Sequence, residues 1–209
     1  MSWATLLREL GAPRWYARDQ ALMYVDQVPS EVLVLQSGWV KVSTTTRAGK
    51  TVLLALRGPG DLVGELSALD EAPRSASIVA IEEVQALAVP HARFKQFLLD
   101  HPEHSLTLLQ QLGARLRDAD AKRVQLAAYT TTGRVAFCLL ELCDRFGADQ
   151  AGAVDITLPL SQEELASWAG ASLESVGRAL QQMRGLGWIE TRRRAIRVLD
   201  RQALQGATT

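Results

Sequence analysis

The sequence predicts an α+β chain with three parts: an N-terminal β jelly roll, a long helix, and a C-terminal helical domain that ends in a β-hairpin. Three observations predict this order: short apolar runs between turn residues up to Val89, a heptad pattern after Pro90, and two short helices before a final hairpin. The expected boundaries are 1–102, 103–130 and 131–209. With 209 residues, 47% of them hydrophobic, the chain can bury a core without disulfides or metals.

From Leu22 onwards, the first part has a sequence typical of β-strands, whereas in residues 1–20 the apolar residues show only a weak helical spacing. Its apolar runs are short, and turn-forming sequences such as Ser37-Gly38 and the segment 58–61 separate them. Several short strands with regular turns are typical of a small barrel or jelly roll. The predicted strands are 32–35, 40–42, 51–56, 77–81 and 84–89.

The middle part is predicted to be helical after Pro90, with a short helix over 91–99 and a long one from about 103 to 128. In the long helix, seam positions recur at alternating steps of three and four residues, which is a narrow heptad seam. Such a seam favours a coiled coil between two copies of the chain, and the alternative is a helix packed on its own barrel. The seam positions are Leu109, Leu112, Leu116, Ala119, Arg123 and Leu126.

The C-terminal part opens with a helix predicted over 133–146, capped by Gly147, and a strand over 154–158. The helix carries both cysteines, Cys138 and Cys143, in an apolar stretch. Since the N-terminus has no basic region followed by an apolar core, we expect no signal peptide. We therefore expect the two thiols to be reduced.

A winged helix-turn-helix is predicted next. The segment 161–164 has the S-x-x-E pattern of a capping box and starts a short helix through Trp168. After a turn that contains glycine, Ser172 caps a second helix that extends to about Arg184. Two short strands, 188–190 and 195–199, then form the hairpin called the wing.

The first candidate binding motif combines Gly64 and Glu65 with Arg74 and Ser75. A glycine allows close backbone approach, a carboxylate accepts hydrogen bonds from ribose hydroxyls, and an arginine binds a phosphate through its forked guanidinium. These residue types therefore suit a phosphate with a neighbouring ribose. The alternative is a surface salt bridge between Glu65 and Arg74.

The second candidate motif is the N-terminal half of the predicted helix 173–184. Leu173, Glu174, Gly177 and Arg178 share one of its faces. Glutamate accepts from cytosine N4, and arginine binds guanine O6 and N7, so this face suits the reading of base edges in DNA. The alternative is an ordinary amphipathic helix with an i, i+4 ion pair.

The formal net charge is zero, from 23 basic and 23 acidic residues, but the charges are unevenly distributed. The segment 175–209 holds seven arginines against two acidic residues, a net charge of +5. Three of them, Arg192, Arg193 and Arg194, fall at the predicted wing tip, where they suit contacts with DNA phosphates. A solvated basic hairpin is the alternative.

Together, the order of elements and several short motifs resemble the cyclic-AMP receptor protein/fumarate–nitrate regulator (CRP/FNR) family, which consists of homodimeric bacterial transcription factors. The resemblance covers about residues 20–200. It implies a cyclic-nucleotide-binding barrel, a dimerisation helix and a DNA-binding domain. The motifs that carry it are Gly64-Glu65-Leu66-Ser67, Arg74-Ser75-Ala76, Thr132-Gly133-Arg134-Val135-Ala136 and the stretch 161–189.

The resemblance also assigns roles to individual residues. It implies cyclic AMP as the effector, with cyclic GMP as the alternative, and partners that include a palindromic operator in double-stranded DNA and RNA polymerase. The expected nucleotide-binding residues are Gly64, Glu65, Leu66, Arg74, Ser75, Ala119 and Asp120. The expected DNA-binding residues are Ser161, Ser172, Leu173, Glu174, Ser175, Arg178, Arg192, Arg193 and Arg194.

Five positions depart from the family pattern. The pair that contacts adenine in cyclic-AMP-binding members, usually Thr with Ser or Asn, corresponds here to Ala119 and Asp120. Asp120 can accept from adenine N6 or from guanine N1 and N2, so the base stays open. Leu173 stands where the family often has Arg, and suits a thymine methyl instead. Asp19 and Pro29 stand at turn positions that are usually Gly.

Other functions are weighed against this one. A regulator of the same family that responds to haem, redox state or another small ligand, or to none, is the first alternative. Two cysteines alone do not ligate an iron–sulfur cluster, and His91, His101 and His104 are single candidates as ligands. An enzyme is not expected, because no nucleophile elbow, zinc spacing or phosphate-binding glycine loop is present. We therefore expect a cytoplasmic protein with no catalytic cofactor, metal site or membrane partner.

Overall fold

The computed structural model describes residues 2–150, 152–157, 160–192 and 195–208. The chain forms two compact units, residues 1–114 and 115–209, and each is described by itself. The elements of the first unit are α1 (Trp3–Leu6), β1 (Ala12–Tyr16), β2 (Ala21–Met23), β3 (Glu31–Ser37), β4 (Val40–Thr45), β5 (Thr51–Arg57), β6 (Leu62–Val63), α2 (Glu65–Asp70), β7 (Ser77–Ala80), β8 (Val84–Pro90) and α3 (His91–Asp100).

The strands of the first unit form two antiparallel sheets, in the orders β1-β8-β3-β6 and β2-β7-β4-β5. The inner faces of the two sheets share one apolar core, to which Leu33 and Leu35 contribute from the first sheet and Val40 and Ile78 from the second. This is the jelly-roll arrangement that the alternation of short strands and turns predicts.

The outer face of the first sheet is also buried. Val32 and Val34 point into a second apolar cluster with Trp3 of α1, Phe94 of α3 and Leu108. Because both faces of β3 are covered, the strand is a continuous apolar run instead of alternating with polar residues. The indole Nε1 of Trp3 also donates to the side chain of Gln111 at 2.8 Å.

The long helix α4 (Pro102–Ala128) continues across the boundary between the units. Among its seam positions, Leu112 packs against the second cluster of the barrel. The other leucines of the seam stay open to solvent: Leu109 is 63% exposed and Leu116 is 64% exposed. No helix in the described part of the chain combines the length and the apolar character that crossing a membrane requires.

The second unit contains helices packed on a small sheet with the order β11-β12-β10-β9. Its buried residues include Leu139 and Leu142 of its first helix, together with Ile156 and Met183. Its elements are α5 (Thr131–Phe146), β9 (Gly147–Gln150), β10 (Ala153–Thr157), α6 (Gln162–Trp168), α7 (Leu173–Gly185), β11 (Ile189–Arg192), β12 (Ala195–Val198) and α8 (Arg201–Gly206).

Several details differ from the expectations. Gly147 is the C-cap of α5, as expected, but its backbone is extended (φ −72°) instead of left-handed, and β9 starts from it. The left-handed turn residues near the start of the barrel are Asp19 and Asp26, with φ of +64° and +66°, so Pro29 is not one of them. Strand β1 was not expected, because its residues before Tyr16 are exposed and show no alternation.

Candidate functional site

The first candidate site lies where β6 passes into α2. Gly64 joins the two elements with a left-handed backbone, φ +80°. A Cβ at this position would lie 2.6 Å from Nη1 of Arg74 and 2.7 Å from Cε of Met23. Only glycine therefore allows the Arg74 guanidinium to approach this turn so closely.

Arg74 is 5% exposed and is held by the backbone on several sides. Its Nη1 donates to the carbonyl of Gly64 at 2.7 Å, and its Nη2 donates to the carbonyl of Glu31. Its own backbone N–H donates to Gln27 O at 2.9 Å, and its carbonyl accepts from Asp26 N at 2.8 Å. The guanidinium is thus fixed at the junction of three chain segments.

The carboxylates of Glu31 and Glu65 lie close enough to Arg74 to affect the pKa of its guanidinium. Burial lowers the pKa of the guanidinium, while the negative charges of Glu31 and Glu65 raise it. Glu65 is the first residue of α2 and is 3% exposed. The structure therefore brings Gly64, Glu65 and Arg74 together, as the motif predicts, with the arginine bonds directed to carbonyl oxygens.

The other expected nucleotide-binding residues are on surfaces. Leu66 and Ser75 are exposed in the first unit, beside Glu65 and Arg74. Ala119 and Asp120 are exposed on the part of α4 that belongs to the second unit. The carboxylate of Asp120 lies 3.7 Å from the guanidinium of Arg123.

The second candidate site is the pair of helices α6 and α7. Ser161 and Glu164 form a complete capping box: the Ser161 hydroxyl accepts from Glu164 N at 3.1 Å, and the Glu164 carboxylate accepts from Ser161 N at 2.7 Å. Ser172 caps α7 by accepting from Ser175 N at 3.1 Å. Both helix starts are therefore fixed by local hydrogen bonds, as the sequence predicts.

The exposed face of α7 carries the expected base-contacting side chains. Its opposite face is buried through Val176, Leu180 and other apolar residues. Arg178 Nη1 donates to the Glu174 carboxylate at 2.8 Å, so the i, i+4 pair that was the alternative interpretation is present. Both side chains are largely exposed, and Leu173 is 46% exposed beside them.

The wing is the β11–β12 hairpin, whose register pairs Ile189 with Val198. Arg192 lies on β11 and is paired with Glu190 at 3.2 Å. Arg193 and Arg194 lie outside the described residues. An additional contact, from Arg184 Nη1 to the Thr191 hydroxyl at 3.1 Å, connects the end of α7 to the wing.

Some neighbours of these sites match no pattern in the sequence. The Glu31 carbonyl accepts from Arg74, and the Met23 side chain lies against Gly64, yet both residues lie more than forty residues before Arg74 and match no motif. The ammonium of Lys122 lies 5.3 Å from the ring centroid of Trp168, a contact that periodicity along one helix does not predict.

Groups that suit other chemistry are poorly placed. Cys138 and Cys143 are both buried and neither is in a disulfide, and burial raises the pKa of the Cys138 thiol to about 12. In the part of the chain that the structure describes, no group of three or more His, Cys, Asp or Glu side chains is arranged to hold a metal ion. Burial and the raised pKa do not favour a thiolate at Cys138.

Comparison with known proteins bears on both sites. The family signature described as a cyclic nucleotide-binding domain matches residues 13–101, and the one described as a Crp-like helix-turn-helix domain matches residues 133–207. The chain is 34% identical over 201 residues to a CRP-like cAMP-activated global transcriptional regulator of Mycobacterium tuberculosis, covering 96% of this chain and 89% of the relative. It is 32% identical to a cyclic AMP receptor protein of Thermus thermophilus, covering 88% and 85% of the two chains.

Solved structures share the fold. The structure of FixK2 from Bradyrhizobium japonicum matches with a TM-score of 0.82 at 24% identity, covering 95% of this chain and 98% of that one. The c-di-GMP responsive regulator CLP of Xanthomonas campestris matches with a TM-score of 0.82 at 20% identity, covering 93% and 96%. At these identities the likeness supports the architecture of barrel, long helix and winged domain.

Proposed function

Because the chain belongs to the CRP/FNR family of DNA-binding transcription regulators, with a cyclic nucleotide-binding domain and a Crp-like helix-turn-helix domain, we propose that it is a homodimer whose DNA affinity is controlled by a cyclic nucleotide. Cyclic AMP is the first candidate and cyclic GMP the alternative. One observation carries the proposal: Gly64, Glu65 and Arg74 are assembled in one unit, while α7 presents exposed Glu174 and Arg178 in the other.

The cyclic phosphate is proposed to bind Arg74. In this structure the guanidinium donates to two carbonyl oxygens, and a phosphate is a stronger, charged acceptor for the same N–H groups. The exposed Ser75 would add a hydroxyl and a backbone N–H beside it. Glu65 would accept from the ribose 2′-hydroxyl, because a buried carboxylate beside a glycine turn suits a neutral donor.

The base would be read by α4, at Ala119 and Asp120. Alanine offers no hydrogen bond, whereas an aspartate accepts from adenine N6 or from guanine N1 and N2. The two relatives named for cyclic AMP favour adenine. Because the present chain has Asp at this position, cyclic GMP stays in the proposal as the competing effector.

The dimer would form along α4. Leu109, Leu116 and Leu126 are exposed in a single chain, and a second copy would cover them by coiled-coil packing. Two copies of α7 would then meet successive major grooves of a palindromic operator, with the wing on the phosphates. RNA polymerase as a partner and a cytoplasmic location are part of the same proposal.

A calorimetric titration of the full-length protein with cyclic AMP and with cyclic GMP tests the effector. We expect one of them to bind, and to tighten binding to a palindromic operator by the same factor by which the operator tightens nucleotide binding. If neither nucleotide releases heat and operator affinity is unchanged, control by a cyclic nucleotide is wrong, and ligand-independent binding or another ligand replaces it.

The Arg74→Leu variant tests the phosphate assignment. Its DNA binding should no longer respond to the nucleotide, because no other side chain in the proposal contacts the phosphate as a cation. Circular dichroism of the variant confirms that its barrel is folded before the titration. A nucleotide response equal to that of the unaltered protein would exclude Arg74 as the phosphate ligand.

A further inference from the structure

The turn between α6 and α7 lies against the last turns of α4 in the second unit. Gly170 forms this turn with a left-handed backbone, φ +61°, and a Cβ at this position would lie 2.4 Å from Cδ2 of Leu126. The leucine side chain therefore packs on the backbone of the turn, at a separation that leaves no room for a Cβ. One helical turn earlier in α4, the Lys122 ammonium lies 5.3 Å from the ring centroid of Trp168, at the end of α6.

This corner determines where α7 begins. Ala171 N donates to the carbonyl of Ala166 at 3.0 Å, which closes the turn against α6. Ser172 then caps α7, two residues after Gly170. Because the leucine contact is so close to this cap, it fixes the start of α7 relative to α4.

A break between α4 and α5 gives this contact its importance. Thr130 lies in the break and has an extended backbone (ψ 163°). Because α7 packs on α5, beyond the break, the helix pair can rotate against α4 unless contacts across the break prevent it. Arg134 crosses the break through two bonds of 3.3 and 3.4 Å to backbone carbonyls near the end of α4, which are long for hydrogen bonds. The packing of Leu126 on Gly170 adds a closer restraint.

Leu126 is also the last position of the heptad seam. Its side chain is 44% exposed, so the part of it that does not contact Gly170 is open. In the proposed dimer, a second copy of α4 would cover this part. One side chain would then contact both the second copy and the turn that leads into α7.

We infer that the contact between Leu126 and Gly170 determines which spacing of half-sites the dimer binds, because it sets the position of each α7 relative to the seam. This inference rests on the proposed dimer and its palindromic operator. Each added base pair moves the half-sites apart by about 3.4 Å and rotates one against the other by about 35°, so a recognition helix that is held in one place tolerates little change in spacing. Without the leucine contact, α7 would be less restrained and would reach half-sites at several spacings.

The test measures binding to operators that differ only in half-site spacing. A palindromic operator is selected from random duplex DNA with the unaltered full-length protein, and one or two base pairs are then inserted at its centre. We expect an insertion to weaken binding of the unaltered protein at least about tenfold, and that of Leu126→Ala at most about threefold. A Leu126→Ala protein that kept the steep dependence on spacing would overturn this inference alone. An unaltered protein that bound every spacing equally would overturn the proposed dimer as well.

Two matched variants separate this role from dimer stability. Leu116→Ala removes another exposed leucine of the seam, about 15 Å earlier along α4. It should weaken the dimer, as measured by sedimentation, but keep the dependence on spacing. Val124→Ala removes an exposed side chain outside the seam and should leave both properties unchanged. A loss of spacing dependence in Leu116→Ala equal to that in Leu126→Ala would overturn the inference, since dimer stability would then explain both.

Gly170→Ala breaks the same contact from the other side, because its added Cβ displaces the Leu126 side chain without shortening it. The dependence on spacing should fall as in Leu126→Ala, and the double variant should show no further loss. Gly152→Ala is the control, with a left-handed backbone, φ +86°, and no atom of the described residues within 4 Å of the added Cβ. Thermal unfolding confirms that each variant is folded. Additive losses in the double variant, or an equal loss in the control, would contradict the assignment.

Discussion

Arg74 and Arg178 occupy opposite environments in the same chain. Arg74 is buried and its guanidinium donates to two backbone carbonyls of distant segments. Arg178 is exposed and its guanidinium donates to Glu174, four residues before it on the same helix. The first arginine is therefore part of the structure of the barrel, and the second is a surface group that folding hardly requires.

This difference determines what each arginine can be used for. Removing a buried cation leaves its partners without donors, which costs stability as well as ligand affinity. Removing an exposed cation from a helix changes stability little, since exposed i, i+4 pairs contribute about 0.3–0.5 kcal/mol. If Arg74 binds the ligand as proposed, ligand binding in the barrel would be coupled to folding, whereas the proposed DNA contacts of Arg178 could vary at little cost in stability.

The largest expected effect is on the stability of Arg74→Leu. The carbonyls of Gly64 and Glu31 would lose their donor, and Glu65 would lose a nearby cation, so we expect a loss of about 2–5 kcal/mol in the free energy of unfolding. The matched variant Arg178→Leu should lose no more than about 0.5 kcal/mol. Urea denaturation of both variants makes the comparison. Equal losses in the free energy of unfolding would show that the buried arginine contributes no more to stability than the exposed one.

A second prediction concerns the turn that admits Arg74. Gly64→Ala combines a left-handed backbone with a clash against the guanidinium and Met23, and we expect it to cost about 2–4 kcal/mol. Gly49→Ala is its control, because Gly49 has nearly the same φ, +78°, and no atom within 4 Å of the added Cβ. The control should cost about 1–2 kcal/mol from backbone strain alone. Thermal unfolding measures the loss in each variant. Equal decreases in the unfolding temperature would mean that the clash with Arg74 and Met23 does not contribute to the cost at Gly64.

A third prediction concerns DNA specificity. Arg178→Ala should lower affinity by about 1–3 kcal/mol at one base pair in each half-site, because a bidentate arginine distinguishes guanine from other bases. For operators that are altered at that base pair, the variant and the unaltered protein should bind with nearly the same affinity. Measurement across a set of single-base operator variants tests this, and a uniform loss at every operator would mean that Arg178 contacts phosphate instead.

The smallest effect is expected for Arg192→Ala on the wing. The variant should bind all sequences somewhat more weakly and reduce the slope of log affinity against log salt by about 1, the signature of one lost phosphate contact. Arg193 is expected from its sequence position to behave in the same way. Base-specific loss in either variant would contradict the division between α7 and the wing.

Hydrogen bonds between residues close in the sequence were easier to predict than contacts between distant segments. Local patterns are sufficient for the capping box at Ser161 and for the cap at Ser172, because their hydrogen bonds join residues three apart. The Gly64-Glu65 and Arg74-Ser75 motif was recognisable because each residue type has a specific chemical use. The family comparisons confirm the order of domains that these motifs indicated.

What was missed depends on contacts between distant segments. Nothing in the sequence near Glu31 indicates that its carbonyl accepts from Arg74, since backbone oxygens leave no mark on residue type. The pairing of β1 with β8 brings Trp15 opposite Gln85, a register that no local pattern specifies. The extended backbone of the Gly147 cap was not predicted, because a glycine after a helix is typical of a left-handed cap as well as of a turn into a strand.

The ion pair between Glu174 and Arg178 also affects how the protein would search a genome. If both side chains read base edges as proposed, then on DNA of the wrong sequence Arg178 would keep its internal partner and Glu174 would face phosphates of the same sign, so each encounter would be brief. At a matching site both side chains would exchange partners and the complex would persist. Together with a net charge of zero, this pair would favour short dwell times everywhere except at the operator, so that the search would be fast without general adhesion to nucleic acid.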